Sequence, residues 1–144
     1  MRVVHTRTGL VSSSAGGAWQ RILPLFRAGL GGRMGSGRQY WSFISMRDTV
    51  NAFRFLIERQ DIHGPVNLTA PKPATNRELT AALARALRRP ALLPVPAAAL
   101  RIVLGEFSQE VLGSARVLPG VLTSAGFAFR DPDADSAMRT LVAR

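Results

Sequence analysis

The spacing of apolar residues changes between Arg38 and Glu58. In RQYWSFISMRDTVNAFRFLIE, Tyr40, Trp41, Phe43 and Ile44 are aromatic or β-branched and are broken only by small Ser42 and Ser45, which reads as one short, mostly buried strand. Beyond it, Val50, Ala52, Phe53, Leu56 and Ile57 recur at helical spacing. Between the two stands Asp48, whose carboxylate suits the unpaired N–H groups of a first turn and predicts the N-cap. The expected unit is a strand, a cap and a helix lying back across the core.

The same criteria place the other elements. Arg2 to Thr8 alternates as a strand that starts almost at the first residue, and Gly9 with Leu10 to Gly17 reads as a flexible, small-residue loop. Trp19, Ile22, Leu23, Phe26 and Leu30 predict a helix, kinked or begun at Pro24 and ended by Gly29 and Gly31-Gly32. Gly64 to Ala70 predicts a strand closing at Pro71 and Pro73. Thr75 to Glu78 has the spacing of a capping box, opening a helix with the stripe Leu79, Leu83, Ala86 and Leu87 that stops before Pro90. The prolines of Arg89 to Pro96 demand extended chain. Helical pieces follow at Ala97 to Leu104, at Glu106 to Leu112 and, through Val117, Leu118, Val121 and Leu122, up to Gly126, before a short extended Phe127 to Phe129. Asp131, with Pro132 at the first helical position, predicts the cap of a final helix over Asp133 to Val142. Strands alternating with helices, then a helical tail, indicate α/β architecture with a partly parallel sheet. Three or four strands leave that sheet thin.

Composition sharpens this picture in four ways. A chain of 144 residues with 47% hydrophobic content supports one domain, here 1–144. Without cysteine it has no disulfide, no thiolate nucleophile and no Cys-ligated zinc. No run approaches the roughly 20 apolar residues of a membrane span, and MRVVHTRTG has no apolar signal core, so the expectation is a cytoplasmic protein with no membrane partner. The net charge of +10 comes almost wholly from arginine, Lys72 being the only lysine. Arginines on one face would bind a phosphate backbone. These are spread along the whole chain, which argues for solvated faces or for an acidic portion lying elsewhere, and against nucleic acid.

The motifs that carry chemistry are mostly absent. Gly29, Gly32 and Gly35 satisfy GxxGxxG, but a pyrophosphate cradle needs a strand before the glycines and a helix after them, and here the order is reversed. The cluster reads as a glycine-rich turn. His5 and His63 are isolated, and Asp131, Asp133 and Asp135 sit at a helix start, where capping is the reading, so no metal ligand is assigned. There is no GxSxG elbow. Tyr40 is the only tyrosine and Ile44 stands four residues on, so there is no YxxxK pair and no catalytic residue is assigned.

Several long segments in fixed order carry a resemblance: RTGLVSSSAGG, GLGGRMGSGRQYWSFISMRD, GPVNLTAPKPATNRELTAALARALRRP, PVPAAALRIVLGE and RVLPGVLTSAGFAF. Together they resemble the C-terminal half of an atypical extended short-chain dehydrogenase/reductase, an NAD(P)-dependent, epimerase-like family whose final portion is a domain of unknown function. The resemblance implies a partial Rossmann-like sheet with a mostly helical C-terminal substrate-binding region, lacking the N-terminal nucleotide-binding half. On this expectation 1–70 is the remnant of sheet and substrate loops and 71–144 the helical tail region.

What it implies for function is a substrate-binding portion of a nucleoside-diphosphate-sugar epimerase-like oxidoreductase, not catalytic alone. Arg7, Gly9, Leu10 and Val11 would lie near the nicotinamide end of NAD or NADP in the full-length family, with no tight cofactor binding expected of this chain by itself. Arg33, Gln39, Tyr40, Trp41 and Asn67 are the candidate substrate contacts. Each has a plainer reading: core packing for Tyr40 and Trp41, loop backbone for Gln39 and Asn67, a solvated turn for Arg33. At the corner before Asp48 this chain departs from the family's pattern, with Ser45, Met46 and Arg47 where many relatives carry two acidic residues or a histidine, so the resemblance assigns no polar role to position 47. The resemblance also implies a fragment or reduced homologue, with a small-molecule substrate such as a sugar nucleotide, and the missing N-terminal half or a second copy as partner. The alternative is a non-enzymatic interaction or self-association module.

Overall fold

The computed structural model describes residues 1–143, apart from the side chain of Val103. Its strands are short. β1 (Val4–Thr8) pairs in parallel with β5 (Gly64–Leu68), β2 (Leu10–Ser12) in parallel with β4 (Phe43–Ser45), and β3 (Tyr40–Trp41) antiparallel with β6 (Ala74–Thr75). The stretch expected as one strand over Tyr40 to Ser45 is therefore two, and the stretch expected as loop from Leu10 begins with β2.

The reason for both differences lies at Gly9. Its N–H donates to the Leu68 carbonyl at 3.0 Å, continuing the β1–β5 ladder, but the next residue, Leu10, donates to Ser42 at 2.7 Å, and Ala70 donates to Phe43 at 2.6 Å. The two parallel strands fork there, and Ser42-Phe43 enters the gap. A β-carbon on Gly9 would stand 2.6 Å from the Ser42 carbonyl oxygen and 3.0 Å from Thr69 Cγ2, so only glycine lets the wedge seat.

Alternation along β4 then divides the interior. Phe43 joins one apolar cluster with Trp19, Phe26, Trp41, Leu79, Leu83 and Met138, while Ile44 joins another with Ala52, Leu56, Val66, Leu68 and Leu122. The first is covered by α1 (Gly17–Arg27), α3 (Asn76–Leu87) and α7 (Ala134–Val142). α1 begins well before Pro24 and continues past it. The second is covered by α2 (Met46–Glu58) and α6 (Gly120–Ser124).

α2 corrects two expectations. It buries Asp48, Thr49, Ala52 and Leu56, and leaves Met46, Val50, Phe53 and Ile57 between 41% and 69% exposed along a separate, flanking face. The helix has two apolar stripes, and the sheet occupies only one side of it. Its N-cap is Ser45, not Asp48: the Ser45 hydroxyl accepts from the Asp48 N–H at 3.1 Å. The Asp48 carboxylate, fully buried, instead accepts from Arg130 N–H at 2.9 and 3.1 Å and from Asp131 N–H at 2.8 Å.

That long-range bond also displaces the cap of the last helix. Asp131 is buried and its carboxylate accepts from Arg47 and from the Thr140 hydroxyl, both at 2.8 Å, so α7 is capped by Asp133, which exchanges bonds with Ser136. Arg47 thus has a polar role, pairing with the far end of the chain. Elsewhere local rules hold. Thr75 and Glu78 form the capping box, and Arg88 closes α3 in the left-handed conformation. A helix α4 (Ala97–Leu104), a 3-10 turn and α5 (Ser108–Leu112) follow. Val117 and Leu118 are not helical, because their main chain is bonded instead to the side chains of Ser42, Thr69 and Asn67.

Candidate functional site

A cleft of about 910 Å3 opens at the fork, at the carboxyl ends of β1 and β5. Arg7, Thr8, Gly9 and Leu10 supply one wall, Asn67 and Thr69 another, and Tyr40, Trp41 and Ser42 the wedge between them. The far side is the extended segment 113–118 with Phe107, Glu110 and Val111. In open α/β sheets ligands bind outside the carboxyl ends of strands at the point where neighbouring strands part, and this cleft has that position.

The far wall is tied down by main-chain groups. Tyr40 N–H donates to the Ser114 hydroxyl and Ala115 N–H to the Tyr40 carbonyl, each at 3.0 Å. The Ser42 hydroxyl donates to the Ala115 carbonyl and accepts from Val117 N–H at 3.0 Å. On the opposite wall the Asn67 amide donates to the Leu118 carbonyl at 3.2 Å and the Thr69 hydroxyl to the Val117 carbonyl at 3.3 Å. The extended segment is held on both sides, so the cleft is preorganised.

Its chemistry is cationic and aromatic. Arg7 and Arg116 are both exposed and Glu110 is the single carboxylate in the lining. The Arg116 guanidinium lies 5.6 Å from the centroid of the Tyr40 ring. Trp41 is buried, donates its indole N–H to Val111 at 2.9 Å and meets Trp19 edge to face at 6.0 Å, so it shapes the floor more than it offers a free polar group.

Of the residues picked from sequence, the fold brings Arg7, Gly9, Leu10, Tyr40, Trp41 and Asn67 into this one cleft. Three stand outside it. Val11 packs against the cluster of Ile44 and Leu68. Gln39 is buried and spends its amide on the carbonyls of Met34 and Val111, at 2.9 and 3.3 Å. Arg33 lines a separate, smaller cavity with Arg77. Sequence reasoning missed Ser42, Thr69, Phe107 and the whole 113–118 wall. The polar, glycine-containing run GSAR was the available signal. Among the described residues no group of three or more His, Asp or Glu side chains could hold a metal ion, and no helix is long and apolar enough to cross a membrane.

Comparison with known proteins gives the cleft a context. Residues 95–141 match a domain of unknown function, DUF1731. An epimerase family protein of Mycobacterium bovis is 51% identical over 129 residues, covering 89% of this chain and 43% of that protein. The crystal structure of a human epimerase family protein with NADPH superposes with a TM-score of 0.92 at 33% identity, over 97% of this chain and 48% of the human one. A nucleoside-diphosphate sugar epimerase from Corynebacterium glutamicum matches with a TM-score of 0.69 at 27% identity, over 98% of this chain and 26% of that one. The chain spans less than half the length of the relatives it matches.

Proposed function

Since the chain belongs to the epimerase-like family of extended short-chain dehydrogenase/reductases and matches its C-terminal half, we propose that it acts as one substrate-binding unit of an NAD(P)-dependent nucleoside-diphosphate-sugar epimerase-like oxidoreductase. Residues 1–70 would give the sheet and substrate loops, and 71–144 the helical cover. The observation that carries this reading is the preorganised cleft at the strand fork. Two arginines against one carboxylate suit an anionic ligand, and aromatic Tyr40 and Phe107 suit a base or sugar face.

In the full-length setting Arg7, Gly9 and Leu10 would hold the nicotinamide end of the cofactor, whose bound form supplies hydride transfer. Tyr40, Trp41 and Asn67 would face the substrate. Arg116, which no sequence argument selected, would hold a phosphate. Asn67 and Thr69 act by positioning the 113–118 wall.

The test is an NMR titration of the chain with UDP-glucose and, separately, with NADPH. UDP-glucose is expected to shift the amides of Tyr40, Asn67 and Ala115 with an affinity of about 1 mM, and Arg116→Ala to remove that response. Shifts that avoid the cleft, or survive the substitution, overturn the reading.

A second reading, a self-association or protein-interaction module, is favoured by one observation. Met46, Val50, Phe53 and Ile57 form an exposed apolar stripe on α2. Sedimentation decides it: a concentration-dependent dimer abolished by Phe53→Glu supports the module.

A further inference from the structure

We propose that the cavity between the glycine-rich turn and the start of α3 is a second anion site, separate from the cleft, for a small oxyanion carried on an apolar group. It has a volume of about 360 Å3 and is lined by Arg33, Arg77, Thr80, Ala81, Ala91, Leu92 and Pro94.

The turn that sequence analysis set aside as a phosphate cradle builds this cavity in another way. A β-carbon placed on Gly37 would stand 3.1 Å from Arg33 Cβ and 3.2 Å from Arg77 Cβ, so the two arginines emerge side by side over a glycine that leaves room for their stems. Both are fixed through their backbones. The Arg77 N–H donates to Gly37 at 3.0 Å, and the Arg33 carbonyl accepts from Val95 N–H at 2.9 Å. The second bond belongs to the isolated Met34–Val95 bridge, which lays the proline-rich segment alongside the turn and brings Leu92 and Pro94 to the cavity. Gly32 permits that approach, since a β-carbon there would meet the Leu93 carbonyl oxygen at 1.9 Å.

The charge at this place is uncompensated. No carboxylate lines the cavity, and among the described residues neither Arg33 nor Arg77 forms a salt bridge. The adjacent Glu78 carboxylate is engaged with the N–H and hydroxyl of Thr75, and the Thr80 hydroxyl donates to the carbonyls of Asn76 and Arg77. Arg77 also stands in the first turn of α3, where the helix dipole opposes a cation. Two arginines whose stems leave the backbone side by side into one cavity, with no acidic partner, suit an oxyanion, since each guanidinium offers paired N–H donors in a plane that matches a phosphate or carboxylate edge. The remaining wall is apolar: Ala81, Ala91, Leu92 and Pro94, with Leu92 83% exposed. That wall selects a ligand with an apolar body beside its charge.

The experiment is a titration of the isotope-labelled chain at low ionic strength with inorganic phosphate and with phenyl phosphate, following the arginine Nε–H signals and backbone amides. Saturable shifts at Arg33, Arg77 and Leu92 are expected, with phenyl phosphate binding about fivefold more tightly than inorganic phosphate through the apolar wall. Arg33→Ala and Arg77→Ala should each weaken binding about tenfold, and Arg33→Lys should recover only part of it, since a point charge replaces a fork. Both side chains are exposed, so the thermal midpoint of each variant should match the parent and establish that the fold is kept. Shifts that do not saturate, that spread over all the arginines, or that saturate at the same phosphate concentration in Arg33→Ala as in the parent overturn the site. Arg116→Ala should leave this response intact, which separates its failure from that of the cleft.

Discussion

Replacing Asp48 by alanine tests the long-range role of that residue directly. A helix cap lost from the first turn of α2 would cost about 1 kcal/mol. The structure demands more, because the Asp48 carboxylate is completely buried and receives two main-chain donors from residues over 80 positions away, Arg130 N–H and Asp131 N–H, at distances from 2.8 to 3.1 Å. Each hydrogen bond to a charged acceptor is worth about 1.5–3 kcal/mol, and the Asp131 donor is left buried without a partner when the carboxylate goes. The expected loss for Asp48→Ala is therefore about 3–5 kcal/mol, a large share of a typical domain's stability. Ser45→Ala, which removes only the true cap, should cost about 1 kcal/mol. Urea denaturation of both variants measures the difference, and amide exchange at Arg130 and Asp131 localises it. If Asp48→Ala shifts the midpoint no further than Ser45→Ala does, the clamp between α2 and the start of the last helix carries no energy and the reasoning fails.

Two further outcomes are expected. Gly32→Ala should destabilise by about 1–3 kcal/mol, since its β-carbon would collide with main chain at Leu93 that cannot rotate away; the thermal midpoint measures this, and Gly120→Ala, with nothing within 4 Å, is the control. Asp61 should titrate at about 2, because Arg59 grips its carboxylate through two hydrogen bonds of 2.6 and 2.7 Å. The lowered value means that this pair's contribution is complete above the ordinary carboxylate range and is lost as the pH falls through about 2. Carbon chemical shifts of the Asp61 carboxyl follow the titration, and Arg59→Ala should return it toward 3.8.

What the amino-acid sequence determined here are the features decided within a few residues. The capping box of Thr75 and Glu78, the helix behind it, the extended proline segment and the reading of the glycine cluster as a turn all rest on neighbours three or four positions apart, where geometry is fixed by the backbone itself. The resemblance to an epimerase-like family was also legible, because ordered long segments carry it. Tertiary structure decided the rest. Whether Asp48 or Ser45 caps α2 depends on Arg130 and Asp131, which arrive from the other end of the chain; a carboxylate has few lone pairs, and buried main-chain donors claimed them first. The same claim on Asp131, from Arg47 and Thr140, moved the cap of α7 to Asp133. Which stripe of α2 faces the core, Ala52 and Leu56 or Val50, Phe53 and Ile57, was undecidable from spacing, since both are apolar and only the position of the sheet separates them. The cleft is of this second kind throughout. It exists because β1 and β5 part at Gly9, and its far wall is a segment about 75 residues from Ser42, held there by hydrogen bonds that no local pattern encodes.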